Sequence, residues 1–85
     1  MNRRVEWAKQ ALKSVSRTDL PTRRNILKAI DEFAEENKGD VRRLSGSTER
    51  TYRLRVGGWR VIFSYLHDGS LFIERVGPRG DVYKR

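Results

Sequence analysis

Apolar residues alternate with arginines in the last third of the chain, a pattern that predicts a β-hairpin. Between residues 51 and 63, apolar side chains recur at nearly every second position on either side of a Gly57-Gly58 pair. Two adjacent glycines favour a two-residue turn of the primed type, because such turns need a positive φ angle. A turn of this length fixes the register, so we expect Val56 to lie opposite Trp59 and the strands to pair outward from there.

This register gathers arginines on the face of the hairpin that does not carry the apolar residues. Arg55 is expected opposite Arg60, and Arg53 lies two positions along the same strand, hence on the same side. Like charges directly opposite each other repel, so the arrangement lowers stability unless an anion lies between them. The pattern therefore favours an anion-binding face over a merely solvated one.

An Asp68-Gly69 pair predicts a second two-residue turn and a third strand. The expected register places Arg75 opposite Ile62, which adds Arg75 to the same basic face. Four arginines then share one side of the sheet.

The same register contains one conflict, because it places Glu74 opposite Phe63 on the apolar face and Ser64 opposite Ile73. A buried carboxylate is unfavourable unless it is paired. Either Glu74 lies near an edge beside a partner such as Arg4, or the second turn is longer than two residues.

The first half of the chain predicts a short strand and two amphipathic helices. Residues 3–7 alternate loosely and can form a strand at the sheet edge. Apolar residues then recur at helical spacing up to Ser16, which predicts the first helix. They recur again between Pro21 and Gly39, which predicts the second. Pro21 suits a first helical turn and Gly39 suits a helix end. Residues 40–50 are polar and predict a connection. The two helices form a hairpin that can cover the apolar face of the sheet.

We therefore expect one α+β domain over residues 1–85. An N-terminal strand and a helical hairpin precede an antiparallel three-stranded meander, in a twisted sheet with the helices packed on one face. The chain carries 19 Lys and Arg against 11 Asp and Glu, a net charge of +8. Such a charge favours a polyanionic partner, most simply nucleic acid.

Composition also narrows the classes of chemistry and location. There is no long apolar run, so we expect no membrane association, and no signal peptide is evident at the start. The absence of cysteine excludes a thiol nucleophile and makes a cytoplasmic location the default. A single histidine, His67, and no ligand-like spacing give no support for a metal site, and His67 itself is expected in a surface turn.

Three motifs accompany this order of elements: LSG before the first hairpin, YRLRVGGWRVI within it, and VGPRGDVY at the end. The combination resembles the RelE/ParE superfamily of type II toxins, and its RelE-like branch in particular, over nearly the whole chain. The resemblance implies a ribosome-dependent endoribonuclease that cuts mRNA in the decoding site and inhibits translation. It also implies a RelB-like cognate antitoxin as partner and no small-molecule cofactor.

Carried over by position, the resemblance implies a catalytic surface made of Arg55, Arg60, Arg79 and Tyr83. The reaction would be attack of a ribose 2′-hydroxyl on its own phosphate, which needs no metal to supply the nucleophile. Arg55 and Arg60 would stabilise the transition-state charge, Arg79 would act at the leaving 5′-oxygen, and Tyr83 would stack on a base or, alternatively, pack on the sheet edge. Substrate binding falls to Arg53 and Arg75 on the basic face and to Arg42 and Arg43 in the preceding connection. The alternative for Arg42 and Arg43 is that they are solvent-exposed loop residues that serve solubility.

Two departures from the family pattern leave parts of this mechanism open. Some relatives carry lysines where this chain has Arg53 and Arg55, and arginine is a poor general base, so the base is not identified. Pro78 precedes Arg79 where many relatives have a basic residue, and this proline can alter how Arg79 is presented. A ParE-like inhibitor of DNA gyrase on the same fold, or a non-catalytic nucleic-acid-binding module, is the alternative function.

Overall fold

Two helices pack on one face of a five-stranded mixed sheet in the computed structural model, which describes residues 2–44 and 50–78. The elements in chain order are β1 (Val5–Trp7), α1 (Lys9–Ser16), α2 (Leu20–Glu36), β2 (Asp40–Arg43), β3 (Thr51–Val56), β4 (Trp59–Tyr65) and β5 (Leu71–Pro78). The strand order is β1-β5-β4-β3-β2, with β1 parallel to β5 and all other pairs antiparallel. The α+β class, the N-terminal edge strand and the helical hairpin are thereby confirmed.

The hydrophobic core lies between the helices and the sheet, as the amphipathic patterns predicted. Each helix contributes its stripe, and strands β3, β4 and β5 contribute alternate residues. The buried members are Ala11, Val15, Ile26, Ile30, Phe33, Ala34, Leu54, Val61, Phe63, Leu71, Ile73 and Val76. Leu12 and Leu27 follow the helical spacing but remain exposed on the flanks of the stripe. Neither described helix is long and apolar enough to cross a membrane.

Helix α2 begins at a capping residue and ends earlier than the sequence suggested. The Asp19 carboxylate accepts a hydrogen bond from the Thr22 backbone N–H, and Pro21 lies in the first turn, where a missing N–H costs nothing. At the other end Asn37 adopts a left-handed conformation with φ of 62°, which closes the helix after Glu36. The prediction that Gly39 ends the helix was wrong, because asparagine also tolerates this conformation.

The first hairpin has the predicted register at every position. Val56 pairs with Trp59, and the ladder continues outward to Thr51 opposite Ser64. Gly57 has φ of 58° while Gly58 does not have a positive φ, which is the requirement of a type II′ turn.

The second hairpin differs from the prediction near its turn. Beyond the pair of Tyr65 with Leu71, the Leu66 N–H donates to the carbonyl oxygen of Ser70 at 2.8 Å, so the loop consists of residues 67–69. The Gly69 N–H donates to the carbonyl oxygen of Leu66 at 2.9 Å, and Gly69 has φ of 89°. This is a three-residue loop with a left-handed glycine at its end, one residue longer than a two-residue turn. The prediction of a two-residue turn at Asp68-Gly69 was therefore wrong.

A β-bulge at Glu74 compensates for the longer loop. Phe63 pairs with Ile73, Ile62 pairs with Arg75, and Glu74 between them has no partner on β4. The predicted pairings of Ser64 with Ile73 and of Phe63 with Glu74 were wrong, whereas Ile62 opposite Arg75 was right. The bulge removes the carboxylate from the apolar face and restores the register for the rest of β5.

Strand β2 was not predicted. Asp40–Arg43 pairs with β3, so Val41 lies opposite Leu54 and the residues expected to form a connection extend the meander to four strands. An edge strand with one face on the core needs only a single inward apolar residue, which gives a weak sequence signal.

Arg3 fastens the N-terminal segment to the C-terminal end of α2. Its backbone N–H donates to the carbonyl oxygen of Ala34, and its Nη1 donates to Asn37 Oδ1 at 2.8 Å. The guanidinium carbon lies 5.4 Å from the centre of the Phe33 ring and 5.5 Å from that of Tyr65. These cation–π contacts join the segment before β1 to α2 and to the end of β4, while β1 itself pairs with β5 through the parallel ladder.

Candidate nucleic-acid interface

Five arginines lie on the side of the sheet opposite the helices. Because side chains alternate along a strand, residues in register with one another share a face. Arg42 pairs with Arg53, Arg55 pairs with Arg60, and Arg75 pairs with Ile62, which is also the partner of Arg53. We call Arg42, Arg53, Arg55, Arg60 and Arg75 the arginine face.

Arg60 occupies the most buried position of this face. The residue is 8% exposed, and its Nε atom has no hydrogen-bond partner within the described chain. Its Nη1 donates to the carbonyl oxygen of Trp59 at a long 3.4 Å. Burying a guanidinium without a counter-charge is unfavourable, so the site is suited to an anion that supplies the missing acceptors.

The apolar side chain of Ile62 on β4 lies between the arginines of β3 and β5. Ile62 is 4% exposed, although it lies outside the main core and faces the arginine side of the sheet. Its register neighbours are Arg53, which is half-buried, and Arg75, which is exposed. Long arginine stems commonly cover apolar surface while their charged ends remain accessible. Ile62 therefore sets the spacing between two cationic side chains.

One carboxylate shares a rung with the central arginine pair. Asp40 on β2 lies opposite Arg55, which in turn lies opposite Arg60. Within residues 2–44 and 50–78, neither Arg55 nor Arg60 has a carboxylate oxygen within 4 Å, and the ion pair found there joins Lys38 to Glu36. Arg55 and Arg60 are thus not neutralised by acidic neighbours in that part of the chain.

The structure separates the remaining predicted site residues. Arg43 pairs with Tyr52, so the register places it on the opposite side of the sheet from Arg42. His67 is exposed in the loop between β4 and β5, as expected. Arg79 and Tyr83 lie outside the described residues. Pro78 is the last described residue of β5 and pairs with Trp59, next to the row that contains Arg60.

Sequence reasoning missed two members of this surface. Asp40 was assigned to a connection, because β2 has only one apolar residue, and Ile62 was treated as an ordinary apolar position. The signal for Asp40 was available in the alternation of Asp40, Val41 and Arg42 next to a hairpin strand. Adding β2 to the sheet extends the arginine face from β5 to β2, because Arg42 lies opposite Arg53.

A family model described as the ParE toxin of type II toxin-antitoxin systems, parDE, matches residues 5–83. The chain belongs to this toxin family, within the RelE/ParE superfamily. No curated protein sequence matches the toxin at a significant level.

Solved structures of RelE proteins share the fold of this toxin. The archaeal RelE–RelB complex from Pyrococcus horikoshii OT3 has 32% identity, covers 95% of this chain and 99% of its own, and gives a TM-score of 0.77. The RelB–RelE antitoxin–toxin complex from Methanococcus jannaschii has 26% identity over 92% and 94% of the two chains, with a TM-score of 0.73. A mutant of the E. coli toxin RelE in the free state has 22% identity over 98% of this chain and 92% of its own, with a TM-score of 0.73, which is a likeness in fold alone.

Proposed function

We propose that this toxin is a ribosome-dependent mRNA endonuclease that inhibits translation. The observation that carries the proposal is the Arg55–Arg60 pair, in which two guanidiniums share a rung and Arg60 is nearly buried. A phosphodiester bound there would offset both the repulsion and the burial. Guanidinium groups suit this role because they keep their charge and bind two phosphate oxygens through a planar fork.

The proposed reaction is an internal transesterification. The 2′-oxygen of a ribose attacks the adjacent phosphorus, the bond from phosphorus to the 5′-oxygen breaks, and the products carry a 2′,3′-cyclic phosphate and a 5′-hydroxyl. Extra negative charge develops on the phosphoryl oxygens in the transition state, where Arg55 and Arg60 would stabilise it. Arg42, Arg53 and Arg75 would hold neighbouring phosphates of the strand.

Two proton transfers complete this chemistry. Arginine does not give up its proton, so another group must accept the proton of the 2′-hydroxyl. Asp40 is the carboxylate closest in register to the central pair within the described chain, and we assign this role to it. Arg79 is proposed to stabilise the charge on the leaving 5′-oxygen, which takes its proton from water, and Tyr83 to stack on a base, as the family resemblance implies.

A cognate RelB-like antitoxin is part of the proposal, since the P. horikoshii and M. jannaschii structures are RelE–RelB complexes. The helices of this toxin expose Leu12, Leu20 and Leu27, at 53%, 50% and 39%. An amphipathic acidic segment suits these leucines and the net charge of +8. The action would take place in the cytoplasm, where the ribosomes are.

The experiment is a cell-free translation reaction in which the message is examined for cleavage in ribosomes. Wild-type protein should cut the message, and Arg60→Ala should reduce cleavage by about 100-fold or more, because it removes a group that acts on the transition state. Arg60→Lys keeps the charge but loses the fork and should give an intermediate rate. Arg24→Ala, on the outside of α2, is the matched control. Intact message with wild-type protein, despite arrested growth, would reject the proposal.

A second candidate is inhibition of DNA gyrase, because the matching family model is named for ParE toxins. Gyrase supercoiling in the presence of the toxin separates the two functions. Loss of supercoiling together with intact message favours the gyrase target, and a toxin without effect in either assay corresponds to a nucleic-acid-binding module.

A further inference from the structure

A second cationic surface lies on the outer flank of α1, across the sheet from the arginine face. Gln10, Lys13, Ser14 and Arg17 follow the i, i+3, i+4, i+7 spacing, so they share one side of the helix, and Lys9 lies one turn before Lys13. These five residues line an open cleft of about 500 Å³. We call it the α1 cleft.

The α1 cleft presents hydrogen-bond donors and positive charge without a compensating acid. Helix α1 contains no acidic residue, and Lys9, Lys13 and Arg17 are all exposed. None of the three makes an ion pair with a carboxylate within residues 2–44 and 50–78. The Ser14 hydroxyl donates to the carbonyl oxygen of Gln10, which leaves the three cations and the Gln10 amide to face a ligand.

This concentration of charge is specific to α1. Helix α2 is twice as long but carries three cations against four carboxylates, and its cations at Arg24 and Lys28 are followed along the helix by acids. A solvated helix surface ordinarily mixes both signs in this way. The uniform sign along α1 therefore indicates a polyanion.

We propose that the α1 cleft binds the phosphate backbone of folded ribosomal RNA while the arginine face holds the mRNA. This inference rests on the proposed action at the ribosome. Residues four apart on a helix are separated by about 6 Å along its axis, so Lys9, Lys13 and Arg17 form a row that can follow successive phosphates. No lining residue of the cleft is apolar, which favours RNA over the amphipathic segment of a protein.

Two surfaces on opposite sides of the sheet give the toxin separate means of docking and of cleavage. The cleft supplies affinity that does not depend on sequence, because cations on flexible stems recognise phosphate rather than base edges. The arginine face then acts on whichever message segment lies in front of it. Loss of the cleft should weaken docking without changing the chemistry of a docked toxin.

The test compares two doubly substituted proteins with the same change in charge. Lys13→Glu/Arg17→Glu alters the cleft, and Arg24→Glu/Lys28→Glu alters the outside of α2 at the same helical spacing. Binding to 70S ribosomes is measured by cosedimentation over a series of salt concentrations. The Lys13→Glu/Arg17→Glu protein should bind ribosomes about tenfold more weakly or worse, with a shallower salt dependence. The affinity of the Arg24→Glu/Lys28→Glu control should change by less than about threefold.

Message cleavage is measured on the same samples, so that docking and chemistry are read separately. Equal weakening of the cleft and control proteins would overturn the assignment, because it would indicate a diffuse field rather than a site. Unchanged binding of the cleft protein would overturn it as well. Wild-type protein that docks through the cleft but leaves the message intact would refute the nuclease and retain the cleft. Thermal melting verifies folding, and Lys13→Gln/Arg17→Gln provides a milder change that should weaken binding in the same direction.

Discussion

Arg55 and Arg60 lie directly opposite each other in the β3–β4 ladder, so two like charges share one rung of the sheet. Replacing one of them by a β-forming neutral residue should relieve the repulsion. We expect Arg55→Thr to raise the free energy of unfolding by about 0.2–1 kcal/mol, measured by urea denaturation, and to lower message cleavage at the same time. A less stable variant would show that the pair is not strained, and a fully active one would show that Arg55 is not used.

Asp40→Asn tests the proposed proton acceptor. The amide keeps the size of the side chain but cannot take a proton, so we expect cleavage to fall by about 100-fold or more with ribosome binding retained. Glu6→Gln is the control, because Glu6 pairs with Phe72 at the distant edge of the same sheet. An unchanged rate for Asp40→Asn would assign the proton to another group.

Gly39→Ala should destabilise the fold strongly. Gly39 has φ of 147°, and a Cβ atom built there would lie 2.8 Å from Leu54 Cδ1 in the core. Gly58→Ala is the matched control, since nothing lies within 4 Å of its added Cβ. We expect the first substitution to lower the free energy of unfolding by about 1–3 kcal/mol and the second to change it little. Similar melting temperatures for both would contradict the close approach of the backbone to Leu54.

Deletions on β5 test the bulge. Removing Glu74 leaves Ile73 and Arg75 adjacent, which matches their partners Phe63 and Ile62, so the protein should still fold cooperatively.

Removing Phe72 instead makes Leu71 and Ile73 neighbours. Both are 1% exposed, and adjacent strand residues face opposite sides, so one of them must leave the core. This deletion should lower the free energy of unfolding by about 1.5–3 kcal/mol, as measured by urea denaturation. The bulge assignment fails if the Glu74 deletion is the more harmful of the two.

Acid should weaken the loop between β4 and β5. The hydrogen bond from Ser70 holds the pKa of the Asp68 carboxyl below its ordinary value of 3.8, and the Ser70 backbone N–H lies 2.9 Å from Asp68 Oδ1. A lowered pKa in the folded state gives stability that is present above the ordinary value and is lost as the pH falls through the folded pKa. Asp68→Asn should therefore reduce the loss of stability as the pH falls below the ordinary value of 3.8, as measured by thermal melting. An identical acid response in both proteins would contradict this role.

The sequence predicted the first hairpin accurately because two physical signals agreed there. The alternation of apolar residues and the glycine turn both required Val56 opposite Trp59, and the arginine pairs followed. Near the second turn they disagreed, since Asp68-Gly69 suggested two loop residues while Glu74 could not face the core.

The spacing of apolar residues contained the answer to this conflict. Leu71 and Ile73 are two apart, but Val76 is three further along, and a strand can bury all three only through an extra residue between them. Strand β2 was missed for a different reason, because its alternation covers only four residues and pairing with β3 holds it in the sheet. Asp40 entered the site only when that strand was known.

The bulge at Glu74 affects how relatives of this toxin should be compared. A shorter loop without a bulge and the observed loop with one contain the same number of residues between Ile62 and Arg75, so an alignment of two such chains would show no gap. Residues 71–73 would nevertheless occupy opposite sides of the sheet in the two proteins, although Arg75 would coincide. Transfer of residue roles between homologues is therefore safe beyond the bulge and unsafe before it, even where the aligned letters are identical.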